Sequence, residues 1–139
     1  MRILPKPPTT KADAATFTGD AWIDQIVRGE PPSRVRAALV RFAPGARNAW
    51  HRHAVGQVLH VVDGVGRTQA RGGDVLEIRP GDTIHTPPGE WHWHGAAPHD
   101  FMTHLTMYEA TGDDRPETEW GDLVGDSEYL AAPGDRPRD

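Results

Sequence analysis

Between residues 17 and 110 the chain breaks into short runs of apolar and polar residues, each closed by a turn signal. "AWIDQIV" (21–27) reads as a first strand and "VRAALVRFAP" (35–44) as a second, ended by Pro44-Gly45. "AWHRHAVGQVLHVVDG" (49–64), "GRTQA" (66–70), "DVLEIRPGD" (74–82), "TIHTPPGE" (83–90), "WHWHGAAP" (91–98) and "FMTHLTMYEA" (101–110) follow. The breaks are Pro-Gly, Asp-Gly, Gly-Gly and Pro-Pro-Gly, residues whose backbone preferences suit turns. Many short strands at this spacing predict an all-β fold, an antiparallel sandwich or small barrel. One short helix is predicted near "DSEYLA" (126–131), with Asp126 as its cap. Residues 1–16 are polar and Pro-rich and read as an extended arm. Residues 17–130 then form a single domain, and 131–139 have the composition of a flexible tail.

Composition narrows the chemistry. The chain has 139 residues, enough for one domain with its own core. There is no cysteine, so disulfides and zinc–thiolate sites are excluded and any metal must be held by nitrogen and oxygen. A net charge of −5 argues against nucleic acid as a partner, because phosphate binding needs a basic face. No run of 18 apolar residues is present, so no membrane helix is expected. The first residues lack the apolar region of a signal peptide, and a cytoplasmic location is the expectation.

The histidines change the picture most. Strand side chains alternate faces with period two. If 49–64 is one strand, His51, His53 and Gln57 share a face with Val55, Leu59 and Val61. Two imidazoles on an apolar face are costly to bury unless something satisfies them. A metal would, and so would ordinary hydrogen bonds. "GEWHWHG" (89–95) repeats the His-x-His pattern with His92 and His94, and "MTHLTMY" adds His104. Five of the eight histidines thus fall on strands that can line one cavity. Ala38, Val40 and Leu59 have the parity to line it too, and Phe42 suits ordinary core.

These residues resemble the cupin family. Gly45, His51, His53, Gln57 and Gly64 fit its first motif, G-x5-H-x-H-x3-E-x6-G. Gly81, Pro87, Gly89 and His92 fit the second, G-x5-P-x-G-x2-H-x3-N. Two positions depart, with Gln57 in place of Glu and Ala96 in place of Asn. The resemblance covers about residues 35–110. It implies a small antiparallel β-barrel or jelly roll whose mouth holds one divalent metal. "PPGEWHWHGAAP", "MTHL", "FTG" at 17–19 and "DSEYL" are further similar to the bacterial manganese cupins with hydroxynitrile lyase activity. That subgroup implies a shell of His51, His53, Gln57 and His92. It makes His94 and His104 the cavity histidines that act on substrate. Tyr108 stands where the subgroup has Gln, inward like His104, and is carried as a third catalytic candidate. Manganese is the metal implied; Fe, Zn, Ni and Co share the donor preference. Family members are commonly dimers or larger through strand exchange, so a homodimer or homotetramer is expected.

The chemistry that follows is that of a Lewis acid. Three His and a Gln add no negative charge, so the metal keeps its full +2 toward a hydroxyl or carbonyl oxygen. No shell carboxylate can act as a base, so an imidazole must move protons. The leading expectation is a lyase acting on a small hydroxy or carbonyl compound such as a cyanohydrin, with His104 taking the proton and His94 supplying one. The alternatives are a quercetinase-type dioxygenase and a non-enzymatic small-molecule-binding barrel. His85 reads as a residue at the cavity rim, and His60 and His99 as surface. Trp50, Trp91 and Trp93 read as packing between sheets or at a dimer contact, Arg41 and Arg47 as solvated or paired. "TGDDRPETEWGD" (111–122) reads as an exposed connection with no function.

Overall fold

The computed structural model describes residues 1–136. It contains thirteen strands and one helical turn among those residues. In chain order the strands are β1 (Thr10–Lys11), β2 (Phe17–Thr18), β3 (Ala21–Arg28), β4 (Val35–Phe42), β5 (Arg47–Asn48), β6 (His51–His53) and β7 (Gln57–Gly64). They continue with β8 (Gly66–Ala70), β9 (Leu76–Ile78), β10 (Thr83–Thr86), β11 (His92–Ala96), β12 (Met102–Glu109) and β13 (Thr118–Trp120), before α1 (Asp126–Tyr129). One sheet has the order β1-β3-β4-β12-β7-β10. The other runs β13-β6-β11-β5-β2, with β8 on β11 and β9 on β8. All pairings are antiparallel. The sheets curl over one another with a core of Phe17, Val40, Phe42, Val61, Ile78 and Met102 between them.

The predicted strand over 49–64 is two strands. β6 belongs to one sheet and β7 to the other, joined by a turn at Ala54–Gly56. Gly56 has φ +81°, and a Cβ there would lie 2.8 Å from the Thr86 carbonyl oxygen. Only glycine allows this close left-handed turn. The turn is what sets the two histidines of β6 facing Gln57 of β7 across the interior.

β11 is buried along its whole length. His92 and His94 face inward, whereas Trp93 faces out and is covered by Trp50, Val75, Val124 and Tyr129. The C-terminal segment closes this outer layer. The Tyr129 hydroxyl donates to the Ala96 carbonyl at 2.6 Å. Arg47 donates to the Val124 carbonyl at 2.7 Å and to Asp126 at 2.8 Å, with its guanidinium 4.5 Å from the Tyr129 ring centre. Arg47 is thus paired and buried. At ~25 cal/mol per Å² a fully buried tryptophan contributes about 4–6 kcal/mol, so this cover stabilises the strand that carries two of the site histidines.

Several expectations change. Gly125, not Asp126, is the cap residue of α1, and Asp126 receives Arg47 instead. The connection 111–122 contains β13, which pairs with β6 in the register Thr118↔His53 and Trp120↔His51. Within the N-terminal arm, Thr10–Lys11 pairs with Ile23 and Trp22. In the tail, Gly134 donates to the Val75 carbonyl at 2.8 Å and Arg136 pairs with Asp82. Residues 137–139 of that tail lie outside the described residues. No helix among the described residues is long and apolar enough to cross a membrane.

Candidate metal centre

His51 and His53 project from β6, His92 from β11 beside them in the register His92↔His51. Their ring nitrogens lie within 4.8 Å of one another and all three side chains are buried. Gln57 reaches in from the opposite sheet. Its Nε2 donates to Thr106 Oγ1 at 2.6 Å, and its Oε1 lies 2.8 Å from His92 Nε2.

The hydrogen bonds behind the rings decide which nitrogen faces the centre. His51 Nδ1 lies 2.8 Å from the Ala49 carbonyl and His92 Nδ1 2.9 Å from that of Glu90. A carbonyl only accepts, so both Nδ1 atoms carry the proton and both Nε2 atoms present lone pairs. His53 Nδ1 contacts Thr118 Oγ1 at 3.0 Å, and its Nε2 is buried with no partner. The His92 lone pair therefore faces the Gln57 carbonyl oxygen, two acceptors at 2.8 Å. A cation among these four groups resolves both that repulsion and the orphaned His53 nitrogen. The donor set fits a divalent metal held by His51, His53, His92 and Gln57, with nothing but N and O ligands and no carboxylate.

A second pair of histidines sits deeper. His104 Nε2 and His94 Nδ1 are hydrogen-bonded at 3.0 Å, and both residues are almost wholly buried. Asn48 Oδ1 accepts the His94 backbone N–H at 2.9 Å. Its Nδ2 is 3.2 and 3.1 Å from the two ring nitrogens of His94. A donor equidistant from both lies over the ring face, because in the ring plane it would collide with Cε1. Phe42 packs against both rings, 6.1 Å from His94 and 5.5 Å from His104 between centres.

Burial sets the charge of all five. It holds His51 well below its ordinary pKa, helped by His92 and His53, and brings His53 to about 4, helped by His92. It lowers His92, pushes His94 well down with His104 adding to the effect, and brings His104 to about 4. The centre is therefore neutral imidazole near pH 7, the form that binds metal. Burial also raises the Tyr108 phenol, with the Glu117 charge adding to it, so it stays protonated.

A pH dependence follows. Unfolded histidines take up protons below about pH 6.5. His53 and His104 in the folded metal-free chain resist until about pH 4. Their contribution to stability is complete above the unfolded value and is lost as pH falls through that window, at ~1.4 kcal/mol per pH unit for each. Thermal unfolding of chelated protein should give a lower Tm at pH 5 than at pH 7.5. An equal Tm contradicts this.

A cavity of about 180 Å³ opens beside these groups. His51, His53, Gln57, His94, His104, Thr106 and Tyr108 line its polar side, and Phe17, Ile23, Ala37, Ala38, Val40 and Trp120 its apolar side. Ala38 and Val40 are thus on the cavity wall. Leu59 does not line it: fully buried in β7, it lies between Thr106 and Ile84 of the neighbouring strands in the same sheet. His85 is exposed and faces away from the cavity, and His60 is on the outer face against Thr83. The Tyr108 ring packs against His53 at a 34° tilt, with ring centres 4.7 Å apart.

Thr118 and Trp120 were missed in the sequence. Thr118 anchors His53, and Trp120 packs 4.8 Å from the His51 ring while lining the mouth. Their signal is the period-two alternation of "TEW" just before Gly121, too short to stand out within a charged stretch. Asn48 was also missed, since a lone polar residue two before a motif carries no pattern.

Known proteins resemble this chain in sequence and in fold. Residues 38–107 match the family model described as the cupin domain. An (R)-mandelonitrile lyase of Granulicella tundricola is 46% identical over 119 residues, covering 86% of this chain and 89% of that protein. A cupin-like protein of Thermotoga maritima superposes with a TM-score of 0.84 at 32% identity, covering 98% of this chain and 100% of that one. A cupin 2 conserved barrel domain protein of Rhodopseudomonas palustris gives 0.68 at 18% identity over 87% and 79% of the two chains, a likeness of fold. With its paired sheets, its two histidine motifs and these relatives, the chain belongs to the cupin family.

Proposed function

We propose that this cupin is a manganese-dependent lyase that cleaves and forms the cyanohydrin of a small aromatic aldehyde. One observation carries the reading. A charge-neutral donor set shares an apolar-walled cavity with a hydrogen-bonded pair of neutral histidines that the donor set does not use. The relative named as an (R)-mandelonitrile lyase, similar over most of both chains, supports it.

The metal, when bound, supplies Lewis acidity toward a substrate oxygen. The chain supplies the rest. Phe17, Ile23, Val40 and Trp120 form a wall suited to an aromatic ring. His104, buried and neutral, accepts the substrate hydroxyl proton as the bond from the carbinol carbon to cyanide breaks and the carbonyl forms. The bond to His94 lets the pair share that proton, and the pair returns it to the departing cyanide as hydrogen cyanide. Tyr108, protonated and packed against the His53 ring, completes the polar side of the cavity. Gln57 holds the charge of the centre by bringing an oxygen without a negative charge.

Assay of the manganese-loaded protein with mandelonitrile tests the reading directly: benzaldehyde and cyanide should appear, and no release above the metal-free background sinks it. Gln57→Glu tests the charge. One added negative charge in the shell should lower kcat at least about tenfold, ~1.4 kcal/mol of barrier, with metal retained. Elemental analysis beside kcat reads both, and an unchanged kcat at full metal content contradicts the role given to Gln57.

A further inference from the structure

Most polar side chains that line the cavity are committed to a partner inside the protein. Asn48 Oδ1 accepts from the His94 backbone, and Thr106 Oγ1 accepts from Gln57. Thr118 holds His53, the Arg36 guanidinium holds the Glu117 carboxylate, and His94 holds His104. Gln25 differs. It lines the same cavity from β3 and is half-buried. Its Nε2 donates to the Val27 carbonyl at 3.4 Å, and because a carbonyl only accepts, the nitrogen is the end turned back to its own strand. The oxygen is the end left to the cavity, and among the described residues no donor meets it.

The fold aims this amide. Gln25 sits where β3 slips its register against β4: Gln25 pairs with Ala38 and Val27 with Ala37, leaving Ile26 as an extra residue. A bulge of this kind bends the strand and re-aims the side chains beside it. Both partners across the bulge are alanines of the cavity wall, so β4 offers no large side chain to cover the amide. Ala21 and Ile23, on the same face of β3, belong to the apolar core, and Gln25 breaks that row with a polar group.

The position suits the far end of a substrate. In the sheet, β4 and β12 separate β3 from β7, which carries Gln57. Three strand spacings are ~14 Å along the sheet, and its curl shortens the direct path. Ile23, Ala38 and Val40 line the wall on this sheet, Phe17 and Trp120 on the other. A ring whose carbinol oxygen lies at the histidine cluster therefore turns its opposite edge toward β3. Tyr108 also brings a hydroxyl, but its ring packs against His53, on the carbinol side. An unmet carbonyl oxygen at the far edge is matched by a donor, and a ring hydroxyl is a donor that enters apolar surroundings without a charge.

We propose that Gln25 is a specificity-determining residue of this cavity, whose substrate carries a hydroxyl on its aromatic ring, remote from the carbinol, that donates to Gln25 Oε1. This recognition rests on the cavity being the substrate site proposed above, and it names the part of the substrate class that reading leaves open.

Mandelamide, 4-methylmandelamide and the 3- and 4-hydroxymandelamides test it. All four are uncharged, share the carbinol and have no cyanide to lose, so calorimetry on the manganese-loaded full chain reads binding without turnover. The methyl probe separates a hydrogen bond from filled space. The wild type should bind one of the hydroxylated probes at least fivefold more tightly than either of the others, the scale of one net hydrogen bond. Gln25→Leu keeps the bulk and removes the acceptor. It should bring that preference below twofold, through weaker binding of the hydroxylated probe. Equal binding of hydroxylated and plain probes by the wild type overturns the proposal, and so does a preference that Gln25→Leu leaves in place. The wild-type comparison needs no variant, so it decides even if Gln25→Leu folds poorly. Binding of none of the four overturns the substrate-site reading and the subsite with it. Binding of all four without the preference overturns the subsite alone, whatever the lyase assay shows.

Discussion

Replacing His104 with alanine is expected to lower kcat for mandelonitrile by about 10²–10⁴-fold, the range for loss of a positioned proton carrier. His104 lies outside the metal-binding cluster, so the manganese content should stay at the wild-type level. Its ring is fully buried against Phe42 and bonded to His94, so its removal opens a small void beneath the cavity. That costs stability, on the order of 1–3 kcal/mol for an unfilled space and an unpaired His94 nitrogen. The comparison therefore belongs well below the variant's own Tm. A variant that is folded and metal-loaded and turns over within threefold of the wild type would remove His104 from the chemistry.

His53→Ala is expected to act one step earlier, on the metal itself. His53 has the one metal-facing nitrogen that is buried without any partner, and nothing else in the cavity replaces it. Losing a residue that merely supports a ligand typically costs 10–100-fold in metal affinity. Losing the ligand should cost more than about 100-fold, and lyase activity should vanish with the metal. Thr118→Val provides the graded case. It removes the group that orients His53 while leaving the ring in place, and should weaken metal binding by about 10–100-fold. Competition with a chelator of known affinity measures both. Retention of wild-type affinity in His53→Ala would show that the donor set is not the one described.

The two variants also separate the two halves of the site. His53 stands on the sheet that carries His51, His92 and His94, whereas His104 stands on the other, with Gln57 and Tyr108. The proposed chemistry needs both, because the three histidine donors and His104 reach the cavity from different sheets. The outer layer formed by Trp93, Tyr129 and Arg47 packs against one of these sheets on the face away from the histidines.

The sequence by itself determined the all-β class, most of the strands, the absence of thiolate ligands and the inward face of each His-x-His pair. These are local matters: alternation, turn residues and composition act within a few neighbours, and a one-residue slip would turn every histidine outward. It also marked Gln57 as a neutral side chain where the motif has Glu, because spacing within a motif is covalent. Only the tertiary structure decided the rest. It split 49–64 into strands of different sheets, since the turn at Gly56 is set by how closely the Thr86 carbonyl passes. It put Leu59 behind the cavity, because parity gives a side chain's face but not its height along the barrel. It brought Thr118 and Trp120 from an unremarkable charged stretch to the histidine cluster, and set Glu117 against Arg36, 81 positions apart in the chain. Those pairings depend on which strand lies beside which, and no residue's immediate neighbours carry that information.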